Sequence, residues 1–165
     1  LAQGHTKIAM AGGRRESSTG RHRNEGWRNA LEEAGIDYRS QLDLPELMTQ
    51  ADGRAAVPAI MEADERPTAI VGFNDLVAFG MMTTLRRAGI EPGPDMAITG
   101  YDDIDGADAR TPALTTIANQ PDKIGRLAAL TLPTGVPSTG ISLQTPPNSE
   151  ARLLRLGAAV EAALA

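Results

Sequence analysis

The chain has 165 residues, 41% hydrophobic and 22% charged, which is enough for one domain with a real core in the composition of a globular protein. Its formal net charge is −5, and the arginines at Arg14–Arg15, Arg21–Arg28 and Arg86–Arg87 are interspersed with acids, which argues against direct binding to a phosphate backbone. It contains no cysteine, so disulfides, thiolate zinc sites and thiol catalysis are excluded.

The opening residues, Leu1-Ala-Gln-Gly-His-Thr, run straight into an apolar stretch, and the chain reads as the middle of a longer protein. Lys7–Ala11 is expected to be a strand, ended by Gly12-Gly13. Ser17, Ser18 and Thr19 are good helix N-caps, and a helix follows to about Ala34, with Gly35 as its stop. Arg23, Trp27, Ala30, Leu31 and Ala34 recur at helical spacing along it. Arg39–Leu44 is expected to be a short strand. Asp52–Glu62 reads as a helix interrupted by Pro58.

The strand Thr68–Phe73 comes next, then a helix marked by Leu76, Val77, Phe79, Gly80, Met81 and Leu85 and stopped at Gly89. A Pro-Gly-Pro turn at 92–94 leads into the strand Met96–Tyr101. Beyond Asp103 the pattern loosens. Thr115–Ala118 reads as a short strand, Asp122–Leu130 as a short helix, 133–140 as a connector, Ile141–Leu143 as a last strand and Glu150–Ala165 as a helix. The alternation implies the α/β class: a parallel, doubly wound sheet with helices on both faces. No apolar run reaches about 18 residues, the length a membrane-spanning helix needs.

Two strands end abruptly in polar pairs, Asn74-Asp75 and Asp102-Asp103. In open α/β sheets, ligands meet polar groups outside the carboxyl ends of the strands. Asn74 offers a donor and an acceptor, and Asp102 an acceptor for hydroxyls. Helix capping by Asn74 and turn chemistry at Asp102 are the competing readings. Arg23 either leans over the same edge or is an ordinary solvated arginine. Thr19 joins the ligand candidates. Trp27 is expected in the core. Gly12-Gly13-Arg14 lacks the spacing of a dinucleotide or phosphate loop, the acidic run 102–108 does not match a calcium loop, and His5 and His22 are too few for a zinc site. No metal, cofactor or catalytic nucleophile is therefore expected.

Several ordered motifs resemble the effector domain of the lactose/galactose-repressor (LacI/GalR) family. They are Gly4–Gly13, Ser17–Trp27, Pro67–Gly80, Ile98–Ile104 and Thr111–Ile117. The resemblance covers about residues 4–130. It implies a two-lobed, periplasmic-binding-protein-like fold, present here as an incomplete domain: 4–110 mostly the C-terminal lobe, 111–147 crossover segments and 148–165 an atypical helical tail. The DNA-binding helix-turn-helix is absent. The family's effector contacts fall on Arg23, Asn74 and Asp102, and Met48 takes the place where members commonly carry an aromatic ring. The resemblance further implies a cytoplasmic transcription repressor, a sugar or sugar-like effector, and a homodimer with contacts at Phe79 and Ile104–Ala109, Ala107 among them. Operator DNA would be reached only through the missing domain. A sugar-binding protein of a transport system and an enzyme on the same fold are the alternatives.

Overall fold

The computed structural model describes residues 3–119. The expectations for 122–130, 133–140, 141–143 and 150–165, and the proposed tail from 148, lie outside the described residues. Within them the chain runs β1 (Ile8–Ala11), α1 (Ser18–Glu33), a 3-10 turn (Ser40–Leu42), β2 (Asp43–Leu44), α2 (Gln50–Glu62), β3 (Ala69–Gly72), α3 (Asp75–Arg87) and β4 (Ala97–Thr99). All four strands are parallel, in the order β2-β1-β3-β4. The chain moves from β1 outward to β2 and then returns past β1 to β3. The strand order therefore reverses between β1 and β3, the point at whose carboxyl ends open α/β sheets bind ligands.

Strand alternation divides the core. Ile8 and Met10 face α1, where they cluster with Trp27, Leu31 and Ala69. Ala9 and Ala11 face the other way and join the larger cluster, which includes Val57 and Ile60 of α2 and Val77, Met81, Met82 and Leu85 of α3. Helices thus cover both faces. The close pairing of α2 with α3 depends on two glycines. A Cβ on Gly53 would stand 2.2 Å from the Val77 carbonyl oxygen, and one on Gly80 would stand 2.1 Å from that of Gln50.

Local chemistry sets the helix ends. The Ser17 hydroxyl accepts from the Gly20 amide to start α1, and Gly35 follows its end at φ +66°. Thr49 and Asp52 form a reciprocal capping box at the start of α2. Asn74 caps α3, and Gly89 follows it at φ +76°.

Three expectations need correction. Arg39–Leu44 is mostly not strand: Ser40–Leu42 is a 3-10 turn, and only Asp43 and Leu44 pair with β1. Pro58 does not interrupt α2, which runs unbroken through it. Both Pro58 and Arg54 are exposed, so the carbonyl that the missing N–H would have bonded can meet water. Leu76 is 43% exposed and does not belong to the buried stripe of α3. The expected strand at Thr115–Ala118 is an extended segment beside β4. Thr115 bridges Thr99, the Gly100 amide donates to the Thr115 carbonyl at 2.9 Å, and the Asp102 amide donates to the Ile117 carbonyl at 3.0 Å.

Among the described residues, no helix is long and apolar enough to cross a membrane, and no group of three or more His, Asp or Glu residues could hold a metal ion.

Candidate functional site

The β1/β3 switch point brings the polar strand ends together. Arg23, in the second turn of α1, donates from one guanidinium nitrogen to the Phe73 carbonyl at the end of β3. The other terminal nitrogen lies 3.8 Å from the Asp102 carboxylate. The rings of Phe73 and Tyr101 cover the guanidinium, with centroids 4.6 and 3.6 Å from its central carbon. The side chains of Arg23 and Asp102 keep 20% and 34% of their exposure, so the pair is sheltered yet reachable.

Asp102 is held under strain. Its φ is +112°, and that of Asp103 is +53°. Non-glycine residues rarely adopt such angles, and they persist only where surrounding contacts enforce them. The Asp102 carboxylate accepts from the Asn119 carboxamide at 3.1 Å. Burial pushes its carboxyl above the usual range, Arg23 opposes that shift and Asp75 adds to it. Burial also lowers the Arg23 guanidinium, against the pull of Asp102. Both shifts have one sense: desolvation outweighs the attraction across the pair.

Asn74 stands beside them but is engaged in the fold. Its Oδ1 accepts from the Val77 amide at 2.9 Å, and its Nδ2 donates to the Met48 carbonyl at 3.1 Å. The capping role is therefore real. A carboxamide has two further hydrogen-bonding positions, one of each kind, that these bonds leave open. Met48 is fastened on its other side by its amide, which donates to Asp52 at 3.0 Å. Asn74 thus ties the backbone of Met48 to the start of α3. Thr19 lies one turn before Arg23 on the same helix face, partly buried. The N-cap of the preceding run is Ser17, not Thr19.

Behind Arg23, an apolar groove of about 520 Å³ runs between α1 and the 115–117 segment, with Trp27, Leu31, Val71 and Tyr101 in its walls. A polar ligand would find few partners there. The strand-end lip, where the Arg23 guanidinium meets the Asp102 carboxylate and Asn74 directly follows the Phe73 that Arg23 bonds, is the stronger candidate.

The residues named as dimer contacts have mixed positions. Phe79 is buried in the main core, and the Arg110 guanidinium stacks 3.6 Å above its ring. Ala107 is buried as well, and Ile104 is partly buried against the same cluster. Phe79 therefore has almost no surface of its own to offer another molecule.

Two polar centres escaped the sequence reading. Asp43, on β2, has a fully buried carboxylate. It accepts from Asn24 at 2.8 Å, Arg28 at 2.7 Å and Tyr38 at 3.0 Å, and lies 3.2 Å from Arg15. Asp75 is 0% exposed, although its neighbour Asn74 is the one that caps the helix. Spacing gave no signal for either. The partners of Asp43 come from three separate segments, and Asp75 looks no different from a second cap.

Comparison with known proteins adds to this geometry. Residues 1–152 match the model of the periplasmic binding protein-like domain. The HTH-type transcriptional repressor PurR of Photobacterium profundum is 34% identical over 128 residues, which make up 78% of this chain and 38% of that protein. The ribose operon repressor of Escherichia coli is also 34% identical over 128 residues, 78% of this chain and 39% of that protein. The chain thus spans well under half the length of these relatives. Among solved structures, a LacI-family sugar-binding transcriptional regulator from Escherichia coli, complexed with phosphate, is similar at a TM-score of 0.71 and 30% identity, covering 76% of this chain and 47% of that one. The transcriptional regulator CelR, in complex with cellobiose, is similar at a TM-score of 0.72 and 28% identity, covering 76% and 38%.

Proposed function

Since the chain belongs to the LacI/GalR family of periplasmic-binding-protein-like domains, we propose that it is part of the effector-binding domain of a ligand-responsive transcriptional repressor. A sugar or sugar-like molecule binds at the lip formed by Arg23, Asn74 and Asp102, with Met48 and Thr19 at its margin. The parent protein acts in the cytoplasm as a non-enzymatic homodimer, with the Ile104–Ala109 loop and the Arg110-covered Phe79 at the contact. It reaches operator DNA through a helix-turn-helix outside this chain.

The observation that carries this reading is the Arg23–Asp102 pair at the point where strand order reverses, with Asn74 alongside. Burial works against both charges. Ligand hydroxyls that bond to them would replace the lost water, and each charged hydrogen bond is worth about 1.5–3 kcal/mol. Regulation follows by linkage. The ligand changes DNA affinity only insofar as it binds one arrangement of the parent's lobes more tightly than the other.

The test is calorimetric titration of the full-length parent with a panel of monosaccharides, disaccharides and nucleosides. At least one should bind, and Arg23→Ala should abolish its heat. Binding that is indifferent to Arg23→Ala would remove the lip from the site.

A further inference from the structure

Asp75 is a carboxylate at this edge with no part in the proposed ligand contacts, and unlike Asp102 and Asp103 it is completely buried. Its Oδ2 accepts from the Ile104 amide at 2.9 Å, and its Oδ1 accepts from the Thr116 hydroxyl at 2.6 Å. Its own amide donates to the Tyr101 carbonyl at 2.9 Å. Asp75 therefore holds the chain on both sides of Asp102 and Asp103, the two residues at positive φ. The packing leaves it no freedom. A Cβ on Gly100 would fall 2.1 Å from Oδ1, so the chain leaving β4 can pass only because Gly100 has no side chain.

We propose that Asp75 is a positioning residue: from the first turn of α3 it clamps the Tyr101–Ile104 turn at both ends and so fixes Asp102 at the lip. This deepens the ligand-site reading and rests on it for its purpose, although the clamp itself is a property of the chain. Two strained residues need contacts that enforce them, and these three hydrogen bonds supply such contacts. A buried carboxylate with a charge-assisted bond on each oxygen is a stiff anchor. The charged groups that act on Asp102 are Arg23 from α1 and Asp75 from α3, so the clamp also brings a like charge to bear on the residue it holds.

The experiment needs no ligand. Amide exchange and the carbon-13 titration of the Asp102 carboxyl are followed in the chain by NMR. Thr116→Val breaks the second anchor of Asp75 together with the bond its hydroxyl accepts from the Asp103 amide at 3.3 Å, and Thr116→Ser keeps both. In Thr116→Val, exchange at Ile104 should quicken at least tenfold while Met10 in β1 is unchanged, and the Asp102 midpoint should fall toward that of a solvated carboxyl. Thr116→Ser should restore both. Asp75→Asn, which keeps the shape and removes the charge, should also lower the Asp102 midpoint. Unchanged exchange at Ile104, equal quickening at Met10, or an Asp102 midpoint that ignores both substitutions would overturn the proposal. Because none of this involves an effector, failure of the parent to bind sugars would leave the clamp standing, and failure of the clamp would leave the binding site to be judged separately.

Discussion

The Arg23 guanidinium is held by four contacts: the Phe73 carbonyl, the Asp102 carboxylate 3.8 Å away, and the rings of Phe73 and Tyr101. Lysine can reproduce the charge but neither the fork nor the stacking. Arg23→Lys is therefore expected to abolish effector binding by the parent and to lower chain stability by about 1–3 kcal/mol in urea unfolding. A lysine variant with unaltered stability would mean that the guanidinium is not held as described.

Asp102 should oppose folding stability when ionised. Its folded-state carboxyl titrates above the usual value, chiefly because of burial. A raised carboxyl favours folding at pH values below its unfolded pKa and loses that advantage as pH rises through the folded one. Asp102→Asn keeps a residue that tolerates positive φ and removes the charge. The variant should melt higher than the wild type near neutrality, with the difference vanishing in acid below the ordinary carboxyl range. Effector binding should be lost throughout. A lower melting temperature at neutral pH would contradict the sign.

Asn74 combines a cap with an anchor. Asn74→Ala should lower stability by about 1 kcal/mol, the usual worth of an N-cap. Asn74→Asp can cap α3 but cannot donate to the Met48 carbonyl. It should recover most of the stability while leaving the Met48 amide and its loop faster to exchange. Equal behaviour of the two variants would deny the anchor.

The approach of α2 to α3 should be intolerant of a single methyl. Gly80→Ala places a carbon 2.1 Å from the Gln50 carbonyl oxygen, which is backbone and cannot swing aside. The helices must separate, at about 1–3 kcal/mol. Denaturation of the purified variant checks this, and a stability equal to the wild type would show that the helices yield freely.

Asp43 gathers Asn24, Arg28 and Tyr38 around one buried carboxylate. Burial pushes the Tyr38 phenol above its ordinary value, and Asp43 adds to that. Asp43→Ala should lower the phenol's midpoint, read from phenolate absorbance, and reduce stability by about 1–3 kcal/mol as its former partners lose an acceptor. The two arginines are partly exposed and can recover water, which keeps the loss below that of a fully buried pair.

The parts legible from sequence were those where one residue type settles the local geometry. Ser17 and Asn74 mark helix starts, Gly35 and Gly89 mark stops, and the apolar runs of β1 and β3 mark buried strands. The parallel, doubly wound arrangement followed from their alternation. The convergence of Arg23 and Asp102 could be anticipated because strand ends at a reversal point share one edge. What stayed hidden depends on tertiary contact. β2 has only two paired residues at a sheet edge, too few to leave a periodic signal. Pro58 looked like a break because sequence does not say which helix face meets water. Whether Asn74 or Asp75 turns inward is decided by Ile104 and Thr116, far along the chain.

The most direct measurement is calorimetry of the full-length parent and three variants against the sugar and nucleoside panel. Gly26→Ala serves as control, since a Cβ there meets nothing within 4 Å on the exposed face of α1. The wild type and Gly26→Ala should bind the same compound with the same affinity, while Arg23→Ala and Asp102→Asn show no heat. A compound bound equally well by all four proteins would place recognition somewhere other than the ends of these strands.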